Sequence, residues 1–171
     1  MIPRIARLLP GMIAALMIAA CTESAREAGV SAAWLQVLLI ERDQDRYDEF
    51  FAPDARVNGS TFAREYLRAT ADGLHGAFPD LDIDVLEQIV ARDRVVTRFA
   101  LAGTHQGPFN THPPTGRAIS VPGVSIDRLE QGRVVENWLY IDLWSMAKQL
   151  GGPALQPAAS DAVRLRAAAE R

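Results

Sequence analysis

The sequence predicts an α+β domain in which helices come first and a long antiparallel sheet follows. Two changes along the chain carry that expectation. Apolar residues recur at helical spacing as far as Ala77, and from Leu81 to Ile141 the period drops to two. Helices grouped ahead of the strands, rather than alternating with them, place the helices on one face of the sheet.

At 171 residues, 49% hydrophobic and 23% charged, the chain has room for one globular domain with short ends. A formal charge of −3 and no basic stripe exclude a nucleic-acid partner. Residues 1–20 read as a targeting segment, with Arg4 and Arg7 ahead of an apolar run from Leu8 to Ala20. That run is short for a membrane span, which needs about 20 residues. Ile18-Ala19-Ala20-Cys21 resembles a bacterial lipobox, with Ile18 where leucine is usual. That resemblance implies a diacylated Cys21 that holds an exported protein at a membrane surface. A plain cleaved signal peptide, with Cys21 incidental, and an uncleaved anchor are the other readings. Cys21 is the only cysteine, so no intramolecular disulfide is available.

Residues 21–30 are small and polar and read as a tether to a domain over 31–151. Ala32 to Ile40 has the composition of a buried helix, and Asp43 to Phe51 continues helically with Tyr47, Phe50 and Phe51 inward. Pro53-Asp54 ends it, Ala55-Arg56-Val57 is a short strand, and Asn58-Gly59 a turn. Ser60 or Thr61 caps a helix to about Ala77, with Phe62, Tyr66, Leu67 and Leu74 at helical spacing. Four strands follow. Arg92-Asp93 turns between the first two, the third is interrupted at Pro122-Gly123, and the fourth runs from Arg133 to Ile141. Asp142 caps a last helix that Gly151 stops. Residues 152–171 form a tail, alanine- and arginine-rich, of no assigned role.

Several short patterns punctuate this order: Ala77-Phe78-Pro79-Asp80, Gly103-Thr104-His105-Gln106-Gly107, Pro114-Thr115-Gly116-Arg117, Glu136-Asn137-Trp138 and Gln149-Leu150-Gly151. Together they resemble the SnoaL-like polyketide cyclases, or ester cyclases, of the nuclear transport factor 2-like superfamily. The resemblance implies a cone-shaped, cystatin-like sheet with a pocket for a hydrophobic small molecule and no cofactor. It puts Val135, Asn137, Leu139 and Ile141 toward that pocket, with Ser125 across the hairpin. The opposite face carries Trp138 and Tyr140 beside Val124 and Ile126, an apolar surface that a homodimer would cover.

In catalytic members the last strand resembles His-Trp-Asp, the aspartate serving as acid and base. Here the triplet is Asn137-Trp138-Leu139, so the family acid does not carry over. The remaining candidates are weak: Asp142, which suits an N-cap, and His105, at a strand end. Tyr66 joins Ser125, Asn137 and Leu139 as an expected pocket residue, and Tyr47 is a further titratable group to inspect. Asp80, Asp82 and Asp84 open like a calcium loop, but Val85 stands at the required glycine. The three histidines lack metal-ligand spacing, so no metal site is expected. Two function classes stand: cofactor-free acid–base chemistry on a carbonyl or ester compound, and a non-catalytic binding or dimeric envelope module.

Overall fold

The computed structural model describes residues 10–110 and 112–152, with side chains from Thr22 onward; the tail over 153–171 and the start of the targeting segment over 1–9 lie outside the described residues. Helix α1 (Pro10–Trp34) passes straight into a π-helical turn (Leu35–Ile40), then a 3₁₀ turn (Gln44–Arg46) and the short α2 (Tyr47–Phe50). Strand β1 (Phe51–Val57), helix α3 (Ala63–Ala77), strands β2 (Asp82–Ala91), β3 (Arg94–Thr104), β4 (Ala118–Glu130) and β5 (Arg133–Ile141), and helix α4 (Leu143–Gln149) complete the chain. The fold is α+β, with the N-terminal helices packed on a five-stranded sheet of order β1-β5-β4-β3-β2.

Several local expectations need correction. The sheet is mixed, because β1 pairs with β5 in parallel, Val57 standing opposite Asn137. Pro53 does not end a helix but lies inside β1, where an edge position lets a missing N–H go unused. Residues 22–29, read as a tether, continue α1, and the Gln88 amide donates to the Ala28 carbonyl at 2.8 Å.

Strand β4 runs through Pro122 without a break, since Ala100↔Pro122 and Phe99↔Gly123 keep register with β3. The irregularity falls instead at the far end of the hairpin, where Arg128 faces Glu136 but Leu129 faces Val134. Val135 is the extra residue of that bulge, so Val134 turns inward fully buried and Val135 is only half-buried. In α3 the inward stripe is Ala63, Leu67, Ala71 and Leu74, leaving Phe62 71% exposed and Tyr66 37% exposed.

The core fills the space between helices and sheet. Trp34, Leu35, Leu38 and Leu39 from the helical side meet Phe51, Val57, Phe99, Leu101, Val121 and Val134 from the sheet. Gly123 is required there by close approach: a Cβ would lie 2.3 Å from the Phe99 ring. The Gly103-Thr104-His105-Gln106-Gly107 pattern clasps the end of β3 to the end of α3. Gln106 and Gly107 both donate backbone N–H groups to the Ala77 carbonyl, at 2.9 and 3.0 Å. Thr104 donates its N–H and hydroxyl to the Asp80 carboxylate, each at 2.7 Å. Asn58-Gly59 makes the turn its sequence implies, with φ of 49° and 80°.

Candidate functional site

The inner faces of β4 and β5 are apolar except at one place. Strand parity puts Ser125 and Asp127 of β4 inside, opposite Leu139 and Asn137 of β5. The last turn of α1 lays Ser31 and Trp34 over them, three residues apart and so on one helical face. Ser31, Trp34, Ser125, Asp127 and Asn137 are all fully buried.

Asp127 is the hub of this island. One carboxyl oxygen accepts from Trp34 Nε1 at 3.0 Å. The other accepts from Asn137 Nδ2 at 2.6 Å and from the Ser125 hydroxyl at 3.2 Å. Asn137 Nδ2 also lies 2.8 Å from Ser125 Oγ. Burial pushes the Asp127 carboxyl above its ordinary value, against the opposing pull of donors from Trp34, Ser31, Asn137 and Ser125. None of these neighbours carries a formal charge. One polar atom of the cluster, Asn137 Oδ1, is buried without a hydrogen-bond partner. A buried carboxyl raised above its ordinary value among uncharged donors is the kind of group that can take up and give back a proton, as general acid–base chemistry needs.

Aromatic rings wall the island. Trp34 meets Phe51 edge-on at 5.4 Å, and Phe51 stacks on Tyr47 at 4.8 Å. On the outer side of that stack, Tyr47, Pro53, Ala55, Thr61, Phe62 and Arg64 line a surface cleft of about 340 Å³. Arg64 sits 4.4 Å over the Tyr47 ring and pairs with Asp48 at 2.6 Å.

The other expected site residues fall elsewhere. Asp142 is the α4 N-cap, accepting from Ser145 N at 2.9 Å and Ser145 Oγ at 2.6 Å. Those hydrogen bonds hold its carboxyl below the ordinary value, the wrong direction for an acid. His105 is fully buried beside Phe78, 5.3 Å between rings, away from the island. Its Nδ1 accepts the Thr115 N–H at 3.2 Å, so the neutral ring carries its proton on Nε2, which has no partner. Burial, and then His112, hold that ring below the ordinary imidazole value.

Tyr66, expected inside, lies at the surface with its hydroxyl accepting from Asn58 Nδ2 at 2.8 Å. Tyr47 is inside, but burial raises its hydroxyl to about 12, which suits no base near neutrality. Ser125, Asn137 and Leu139 do meet on the inner face, and Leu139 is 6% exposed. Among the described residues no group of His, Cys, Asp or Glu has the arrangement of a metal site.

Sequence reasoning missed Asp127 and Trp34. The signal was available, because Asp127 follows Ser125 by two positions and must share its face.

Residues 30–150, most of the chain, match the family described as SnoaL-like polyketide cyclase. The chain belongs to the SnoaL-like polyketide cyclase family. Solved structures of SnoaL-like size agree. IdmH from Streptomyces antibioticus, a proposed polyketide cyclase, is 30% identical with a TM-score of 0.63, over 70% of this chain and 95% of that one. TsrD from Streptomyces laurentii is 25% identical with a TM-score of 0.66, over 75% of this chain and 97% of that one. AclR from Streptomyces galilaeus, a proposed hydroxylase, is 26% identical with a TM-score of 0.65, over 86% of this chain and 96% of that one. No curated protein matches the chain. The SnoaL-like scaffold therefore carries different proposed chemistries, and the residues inside must decide among them.

Proposed function

We propose that this SnoaL-like protein is an exported, lipid-anchored protein that takes up a hydrophobic small molecule between its helices and sheet and acts on it by proton transfer without a cofactor. The observation that carries the reading is the polar island on an otherwise apolar inner face. An apolar interior with a few convergent polar groups is the usual form of a small-molecule site. Such groups orient a ligand, because a buried polar atom left unpaired is costly. Asn137 Oδ1 is such an atom here.

The anchor reading rests on Ile18-Ala19-Ala20-Cys21 at the end of an apolar run. Among the described residues no helix is long and apolar enough to cross a membrane. A lipid on Cys21 would then supply the attachment. The homodimer reading rests on Trp138 and Tyr140, 36% and 55% exposed on the outer face of β5.

Native mass spectrometry of the protein taken from its host membrane tests both main parts. A lipid-modified mass beginning at Cys21, with an apolar molecule bound, is expected. An intact mass matching the unmodified sequence from Met1 would reject the anchor, and a reproducibly empty protein would reject the ligand. A non-catalytic binding module is the second reading, favoured by one observation: the Asp127 carboxyl oxygens already accept three hydrogen bonds from the protein itself.

A further inference from the structure

We propose that Asp127 is the acid–base residue of this protein, replacing the carboxylate missing at Leu139, and that its substrate is an apolar carbonyl compound with an ionisable α-C–H bond. The proposal rests on the reading of the interior as a ligand site and names the group that would work there. In the family pattern the acid stands on the last strand, where this chain has Leu139. The residue opposite Leu139 on β4 is Ser125, and the next inward position of β4 is Asp127. The carboxylate is thus moved to the neighbouring strand, one inward position along the same hairpin, and still faces the same interior.

The surroundings suit the task. Trp34, Ser125 and Asn137 hold the carboxyl by three hydrogen bonds, which fixes its orientation. Groups packed on it from α1, β4 and β5 are uncharged, so no cation locks it as a carboxylate. Trp34 stands at the junction of α1 with a π-helical turn, an irregularity often found at functional sites. The island is closed in this structure, and the Trp34 and Phe51 rings stand between it and Tyr47, which lines the surface cleft.

The step balances without a co-reactant. As a carboxylate, Asp127 removes the α-proton; the C–H electron pair enters the new C–C π-bond and the carbonyl π-pair moves onto oxygen. An enolate and a neutral Asp127 result. The Ser31 hydroxyl, which faces the Asp127 carboxyl from α1, can turn to the enolate oxygen once that carboxyl is protonated. Neutral Asp127 then returns the proton to carbon or to oxygen, and no electrons are gained or lost.

The test uses the full chain in detergent with 1-indanone and 1-tetralone in D₂O. Binding is read from the Trp34 indole N–H signal, identified by its loss in Trp34→Phe, and turnover from α-deuterium uptake. Wild type is expected to bind and to accelerate uptake. Asp127→Asn should still bind and lose at least about a hundredfold in rate. Trp34→Phe and Ser125→Ala, each removing a donor to the carboxyl, should shift the midpoint of the pH–rate profile upward, a shift that a purely structural role would not produce.

Binding without uptake, or uptake unchanged in Asp127→Asn, would overturn the role of Asp127 and leave the ligand site standing. Failure of either ketone to perturb Trp34 would remove the ligand site and the proposal together. If Asp127→Asn does not fold, the two donor variants decide: an unmoved midpoint overturns the proposal.

Discussion

Two carboxylates near β5 differ in their hydrogen-bond partners and surroundings, and those differences predict opposite behaviour with pH. Asp142 gains donors at a helix start and is held below its ordinary value, so its stabilisation is present above the unfolded carboxyl value and lost as pH falls through the folded one. Asp142→Ala should lower the Tm by a few degrees at neutral pH and converge with wild type in strong acid. Asp127 is pushed up by burial, so its contribution is complete below the unfolded value and lost as pH rises through the folded one. Urea unfolding of Asp127→Asn against wild type from pH 4 to 8 should therefore show the stability difference shrinking as pH rises. His105, held below an ordinary value of 6.5, works the other way: its stabilisation is lost as acidification charges a ring whose Nδ1 accepts a backbone N–H. His105→Asn should remove that acid sensitivity. The capping role of Asp142 was legible because a carboxylate between a strand and an apolar helix has one obvious use. Asp127 stands next to Arg128 and near Glu130 in the sequence, and only strand parity separates it from those surface charges.

At the scale of elements, the helix and strand periods placed nearly every element, and local chemistry named the turns. What they did not reveal depended on contacts distant in sequence. Pro122-Gly123 reads as a break, yet the strand continues because the glycine makes room for the Phe99 ring. Gly123→Ala should cost about 1–3 kcal/mol by overpacking, measured by denaturant unfolding, and Phe99→Leu should recover part of it. Gly107→Ala should cost more and resist such rescue, because its Cβ would lie 1.8 Å from the Gly76 carbonyl oxygen, a backbone atom. The Val135 bulge is set by the β4–β5 register, which alternation alone cannot disclose. Likewise Phe62 and Tyr66 share helical spacing with Leu67, but the arc that meets the sheet is centred on Leu67 and Leu74.

For the whole molecule, the outer sheet face bears on assembly. Trp138 and Tyr140, with Val124 and Ile126 beside them, leave apolar area in water, next to a cleft of about 290 Å³ between Pro122, Val124 and Tyr140. If two copies cover it, Tyr140→Glu should turn a dimer into a monomer in light scattering without changing the Tm of the isolated fold by more than a few degrees; a monomeric wild type would reject this assembly. The fold itself follows from the order of the elements, whereas function rests on one carboxyl group and its neighbours. The most direct measurement is the carboxyl ¹³C titration of Asp127, assigned by its loss in Asp127→Asn, with and without 1-tetralone. The account predicts a midpoint above the ordinary carboxylate value that moves when the ketone binds; a midpoint at or below that value, unmoved by ketone, would contradict it.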